Sequence, residues 1–213
     1  TGETAEKIDH PAYVVGYPDG GFHPEANMTR AEAATIFARL LAADRGDVLT
    51  GSPAFNDVKT GDWYAAYINY AAKCDLVAGY NGAFRPNDPV TRAEFVAMAV
   101  RFCKAAGSAS AQNVTARLFS DADSGWAASY IRSAAACGWL AGYPDGSFRP
   151  EQSITRAEAV KIVNAILGRS ADKTANYVRF TDMTTSHWAY YEVAEASTAH
   201  TGTVTDGVEK WGK

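Results

Sequence analysis

Apolar residues recur with a helical period in two kinds of segment. In the first kind, Ala33, Ile36, Phe37, Leu40 and Leu41 fall on one face of a helix. Phe95, Met98, Ala99, Phe102 and Cys103 occupy the matching positions of a second such segment, and Ala159, Ile162, Val163, Ile166 and Leu167 those of a third. The second kind opens on a tryptophan, Trp63, Trp126 or Trp188, and in the first two of these Ile68, Ala72 and Leu76 match Ile131, Ala135 and Trp139. Between the two kinds stand glycine-tyrosine turns, Gly16-Tyr17-Pro18-Asp19-Gly20, Gly79-Tyr80-Asn81-Gly82 and Gly142-Tyr143-Pro144-Asp145-Gly146. Proline fixes φ and glycine accepts positive φ, so Tyr-Pro-Asp-Gly predicts a tight turn, and the middle turn, one residue shorter, predicts a different loop geometry. The unit is therefore a helix, a short turn or hairpin, and a second helix.

The units are in phase. Thr29-Arg30-Ala31-Glu32, Thr91-Arg92-Ala93-Glu94 and Thr155-Arg156-Ala157-Glu158 open the first kind of segment at intervals of 62 and 64 residues. Phe55-x-Asp57, Phe119-x-Asp121 and Phe180-x-Asp182 precede the tryptophans, and Phe22-x-Pro24, Phe84-x-Pro86 and Phe148-x-Pro150 follow the turns. After Trp188 the position expected for a tyrosine turn holds Thr205, so the chain begins in the second half of a repeat and ends in the first half of one. That predicts a single domain over 1–213. Its parts are 12–41 as the second half of unit one, 55–103 as unit two, 119–167 as unit three, and 180–200 as the first half closing unit one. One unit cannot bury its apolar stripe alone. The expected fold is mainly α, with three helix–turn–helix repeats in one pseudo-threefold, three-pronged domain around a central three-helix bundle. Closure needs Phe180–Ala199 to pack on Tyr13–Leu41. Ala42–Ala54 and Ala105–Thr115 read as linkers, and Thr1–His10 and Asp206–Lys213 as peripheral segments, with Trp211 suggesting that the tail docks.

Thr-x-x-Glu before an apolar-periodic run is a capping box, which gives Glu32, Glu94 and Glu158 a structural role. It leaves Arg30, Arg92 and Arg156 unexplained, because a cation at a helix start opposes the helix dipole. An arginine there adds a two-pronged donor to the free N–H groups of the helix start, a combination suited to a small anion. The competing reading is an ion pair to Asp57, Asp121 or Asp182, or a solvated side chain. Trp63, Trp126 and Trp188 read equally as packing beneath the turns or as platforms for the apolar face of a sugar. Tyr17, Tyr80 and Tyr143 read as groove wall or as core beneath the turn.

Composition narrows the function. Hydrophobic residues make up 47% and charged residues 21%, ordinary for a globular protein, and the net charge is −4. A basic footprint for nucleic acid is lacking. No run of 18 apolar residues predicts a membrane span, so no membrane insertion is expected, and an export signal would lie outside this sequence. Cys74, Cys103 and Cys137 are too few and too far apart for a disulfide framework or a four-thiolate site, and read as small buried thiols. His10, His23, His187 and His200 lack metal-ligand spacing. Asp121-x-Asp123 with Gly125 resembles a calcium loop, but Arg132 stands where a bidentate Glu is required. No nucleophile elbow or carboxylate pair stands out, so no catalytic residues, metal or cofactor are expected.

The order Phe-x-Asp, Trp, Gly-Tyr-Pro-Asp-Gly, Phe-x-Pro, Thr-Arg-Ala-Glu closely resembles the S-layer homology family, over about Ala12 to Ala199. The resemblance implies the three-pronged helical fold and non-covalent attachment of a larger exported bacterial protein to the cell wall at the cell surface. It implies as ligand a secondary cell wall polysaccharide, often with a pyruvate ketal on N-acetylmannosamine. In some lineages the ligand is polyamine-modified peptidoglycan. By motif position Arg30, Arg92 and Arg156 would bind ligand, with Trp63, Trp126 and Trp188 as groove walls. Asp57, Asp121 and Asp182 would accept sugar hydroxyls, and Gly16, Gly79 and Gly142 would allow close backbone approach. The split first unit and the shortened middle turn depart from the family layout. A structural module that self-associates into a surface lattice is the alternative function.

Overall fold

The computed structural model of the chain describes residues 6–108, 118–205 and 208–212. Of the expected linker Ala105–Thr115, residues 109–115 lie outside the described residues, as do residues 1–5, 206, 207 and 213 of the two expected peripheral segments. The described elements are β1 (Glu6–His10), α1 (Arg30–Arg45), α2 (Ala65–Lys73), α3 (Arg92–Ala105), α4 (Ala128–Ala136), α5 (Arg156–Leu167), α6 (Tyr190–Ser197), β2 (His200–Thr205) and β3 (Val208–Trp211). The protein is mainly α and built of repeats. No helix among the described residues is long and apolar enough to cross a membrane. The elements group into two compact units, Asn27–Thr155 and the paired chain ends, Thr1–Ala26 with Arg156–Lys213.

In the Asn27–Thr155 unit, α1 and α3 begin with complete capping boxes. Thr29 accepts from the Glu32 amide while the Glu32 carboxylate takes the Thr29 N–H, and Thr91 and Glu94 do the same. The long apolar face of α1 packs on α3 through Phe37, whose ring centroid lies 5.2 Å from Phe95 and 5.6 Å from Phe102. The residue before each Thr-Arg-Ala-Glu joins a closed ring of backbone bonds. Met28 N–H donates to Ile154 C=O at 3.0 Å, Ile154 N–H to Val90 C=O at 3.1 Å, and Val90 N–H to Met28 C=O at 2.9 Å. All three side chains are buried. Buried backbone groups must be paired, and here one residue from each repeat pairs the next.

Two boundaries differ from the sequence expectation. Helix α1 runs to Arg45, into the expected linker, and stops where Gly46 adopts φ 66° and caps it. The tryptophan-led helices start two residues late, at Ala65, Ala128 and Tyr190, so each tryptophan sits in the preceding turn rather than in the helix.

In the terminal unit, α5 packs with α6, and Tyr13 Oη donates to Asn164 Oδ1 at 2.7 Å, with Val160 C=O at 3.2 Å. Tyr13 N–H donates to Ala196 C=O at 3.0 Å, and the Phe22 and Phe180 rings lie 5.4 Å apart. The expectation that the ends are only peripheral is corrected by a three-stranded antiparallel sheet in the order β1-β2-β3, with Ile8 opposite Gly202 and Gly202 opposite Trp211. Alternating Thr201, Thr203 and Thr205 supply the strand preference that a search for helical periods passes over. Trp211 docks by stacking on His200, centroids 3.6 Å apart.

Each turn is braced by the aspartate of Phe-x-Asp. Asp57 accepts from Phe84 N–H at 2.8 Å and Arg85 N–H at 2.7 Å; Asp121 accepts from Phe148 and Arg149 N–H; Asp182 accepts from Phe22 and His23 N–H. The second residue of each pair, His23, Arg85 or Arg149, has φ between 56° and 60°, a conformation side chains resist. Two charge-assisted bonds offset that strain. Burial opposes ionisation of these three aspartates, yet the paired backbone donors outweigh it and hold each carboxyl below its ordinary value of 3.8.

Removing the brace in Asp57→Ala should cost about 1–3 kcal/mol in chemical denaturation. The same change made in an Arg85→Gly background should cost less, because glycine accepts the positive φ. Since the folded carboxyls titrate below their unfolded value, their contribution is present above pH 3.8 and is lost as pH falls beneath it. An acid titration followed by circular dichroism should show Asp57→Ala flattening that loss.

Candidate functional site

The Thr-Arg-Ala-Glu helix starts were expected to offer free N–H groups, and the structure fills them. Arg30 and Ala31 N–H donate to Asp88 and Pro86 C=O, Arg92 and Ala93 to Gln152 and Pro150, and Arg156 and Ala157 to Ala26 and Pro24. Each helix start thus binds the loop of another repeat, and the guanidinium follows the same course. Arg30 Nε donates to Phe84 C=O at 2.8 Å, Arg92 Nε to Phe148 C=O at 2.9 Å and Arg156 Nε to Phe22 C=O at 2.9 Å. The side chains are 4–6% exposed and lie over the same phenylalanine rings, with Tyr143 beneath Arg92 and Tyr17 beneath Arg156. Arg30 also donates to Ala78 C=O and pairs with Glu94 at 2.5 Å. Each arginine therefore fastens a neighbouring turn, which accounts for a cation where the helix dipole disfavours one.

The glycines have a related cause. A Cβ on Gly16, Gly79 or Gly142 would collide with the ring of Phe180, Phe55 or Phe119 and with a carbonyl across the turn. The close approach they permit is to the protein's own Phe-x-Asp element. Asp57, Asp121 and Asp182 likewise spend one lone pair of each oxygen on the turn amides. The tryptophans face outward, with Trp63 61%, Trp126 58% and Trp188 55% exposed. Trp188 stacks on His187 and lies under Lys161.

Within the Asn27–Thr155 unit a cleft of about 370 Å³ gathers Arg30, Arg85, Asp88, Thr91, Glu94, Trp126 and Glu151. It joins an arginine and a tryptophan singled out from the sequence to Arg85, which the motif reading left as the x of Phe-x-Pro. The available signal was that x is basic in all three repeats: His23, Arg85 and Arg149. In the first and third turns the Pro-Asp-Gly aspartate holds that basic group, Asp19 binding His23 at 2.7 Å and Asp145 binding Arg149 at 3.0 Å. The middle turn has no such aspartate. It is a two-residue hairpin with Asn81 at φ 50° and Gly82 at φ 77°, whereas Gly20 and Gly146 close three-residue loops. Arg85, 54% exposed, is consequently free of its turn and points toward Asp88 at 3.8 Å and Glu94 at 3.9 Å. Tyr80 of that turn is exposed.

In the terminal unit, a larger hollow of about 870 Å³, with Asp172, Asn176, Thr198 and Trp211 in its lining, contains none of the repeated motif residues. Close to it, His10, Glu195, His200 and Glu209 converge into a group of potential metal ligands that sequence spacing does not announce. Cys103 is buried, which raises its thiol to about 11 and keeps it protonated.

A family model for the S-layer homology domain matches residues 13–34, 54–96 and 118–160. The chain is 39% identical over 194 residues to a cellulosome-anchoring protein of Acetivibrio thermocellus, an alignment spanning 90% of this chain and 43% of the relative. It is 35% identical over 215 residues to cell surface glycoprotein 1 of the same organism, spanning 96% of this chain and 9% of that protein. It is 36% identical over 161 residues to an amylopullulanase of Thermoanaerobacterium thermosulfurigenes, spanning 75% and 8%. The chain spans less than half the length of these relatives. With all three in-phase repeats matched by that model, the chain belongs to the S-layer homology family.

Proposed function

We propose that this chain is a non-catalytic anchoring module that holds a larger exported protein at the bacterial cell surface by binding a cell-wall polysaccharide. The names of the relatives support the anchoring part: one is a cellulosome-anchoring protein, and others are a cell surface glycoprotein and a surface layer protein. The amylopullulanase and an exoglucanase match over only 8% and 14% of their lengths, as an accessory module would.

The observation that carries the ligand assignment is the cleft beside Arg30, where a solvent-facing tryptophan meets an arginine released from its turn. Trp126 offers a flat apolar face to a sugar ring. Glu151 and Asp88 offer acceptors for hydroxyls, and Arg85 a planar fork for a carboxylate such as that of pyruvylated N-acetylmannosamine. Arg30 supplies the floor and its guanidinium edge. Binding at one such cleft is modest, and several modules on one polymer strengthen it through effective concentration. A second reading rests on the same cleft: Asp88, Glu94 and Glu151 would suit a cationic ligand, as in polyamine-modified peptidoglycan.

Arg85→Ala distinguishes the two. In co-sedimentation with purified walls, an anionic glycan predicts a loss of roughly tenfold or more. Arg149→Ala, whose side chain is tied to Asp145, should change binding little, and Trp126→Ala should weaken it under either reading. Unchanged or stronger binding by Arg85→Ala would replace the anionic ligand with the cationic one. Pelleting of the chain without walls would favour a self-associating lattice module.

A further inference from the structure

A second group of side chains stands out, within the terminal unit. His10 at the end of β1, Glu195 on α6, His200 at the start of β2 and Glu209 on β3 turn their ligand atoms inward, all within 4.8 Å of one another. His10 Nδ1 lies 3.3 Å from one Glu195 oxygen and 3.4 Å from Glu209. His200 Nε2 lies 3.7 Å from the other Glu195 oxygen and 2.9 Å from Glu209.

The Glu195 side chain is wholly buried, and neither of its oxygens has a hydrogen-bond partner; His10 Nδ1 is likewise buried and unsatisfied. A buried carboxylate without donors is costly unless something cationic meets it. The arginine nearest in charge, Arg169, donates to Pro11 C=O instead. His200 adds a second constraint. Its Nδ1 sits 2.9 Å from Thr198 C=O, which requires the proton on that nitrogen. Its Nε2 meets the Glu209 carboxylate at 2.9 Å, an edge that must hold either a second ring proton or a shared cation. Trp211, stacked on His200, walls the group on one side.

We propose that His10, Glu195, His200 and Glu209 bind one divalent transition-metal ion of the zinc type. Two imidazole nitrogens and two carboxylates are borderline donors that suit zinc and not calcium or magnesium. Ligands at about 2.0–2.1 Å around a tetrahedral ion stand about 3.3–3.4 Å apart, in the middle of the separations found here. The Nδ1 bond from His200 to Thr198 is the outer support that ligating histidines ordinarily have. Four protein ligands leave no open position, so the ion is structural. It fastens the strand near the start of the chain to the helix and strands near its end. The four ligands fall on four separate elements, so only the folded terminal unit assembles them.

The test uses the whole chain, stripped of metal with chelator and titrated with zinc chloride. Bound metal is read by elemental analysis and the unfolding midpoint by circular dichroism. The expected result is one zinc per chain with a raised midpoint, retained when Cys74, Cys103 and Cys137 are all replaced by Ala. Both signals should disappear in Glu195→Gln and in His10→Ala. The His10 side chain is 16% exposed, so it is the variant to read should Glu195→Gln fail to fold. Absence of zinc uptake by the unaltered chain, or uptake that His10→Ala and Glu209→Gln leave unchanged, overturns the proposal.

Discussion

The ring of backbone hydrogen bonds joining Met28, Val90 and Ile154 is the constraint on which the repeat unit rests. Each member lies one residue before the threonine that precedes a helix, so the ring fixes where the helices begin. The first amides of each helix are then delivered to the loop of another repeat, and the arginine that follows reaches the carbonyl after that loop's turn. A capping box can be satisfied inside one repeat, but the arginine cannot. Its strong preference for planar carbonyl and carboxylate partners makes it a fastener between repeats, and its burial beneath phenylalanine rings keeps water from competing.

The same economy shapes the turns. One aspartate satisfies two turn amides and stabilises a positive φ, while a glycine makes room for the ring that precedes that aspartate. These groups are committed to the fold, and turn length decides whether the neighbouring basic side chain is committed with them. A three-residue turn carries an aspartate that neutralises the neighbouring basic residue, and a two-residue Asn-Gly turn does not. The shortened middle turn, read from sequence as a departure from the family layout, is the one whose basic residue is released into a cleft.

Much of the fold was legible in sequence because its signals are local and repeated. The phase of Thr-Arg-Ala-Glu located the helix starts, the period placed Phe37, Phe95 and Val163 in the core, and Pro-Asp-Gly against Asn-Gly separated the two hairpin geometries. Partnership across distance was not legible. An arginine at a helix start looks the same whether it faces solvent or a carbonyl 54 residues away. The terminal sheet escaped because its strands lie at opposite ends of the chain and are too short to show a period. His10 and His200 met two glutamates for the same reason, without any spacing to betray them. Trp63, Trp126 and Trp188 were expected to open helices but sit in the turns before them, and sequence left open whether they pack inward or face outward, as they do.

The break in the first repeat carries a further consequence. Asp182 braces Phe22 and His23 through a sequence separation of 160 residues, whereas Asp57 and Asp121 brace their turns through 27. The bonds are alike in kind and length, so the covalent link between the two halves of a repeat is dispensable to its geometry. Loop-closure entropy puts the difference at about 1.5 kcal/mol. Connectivity is thus a weak variable in this architecture, and circular permutants opened between another tryptophan segment and its turn have the same set of interactions to form.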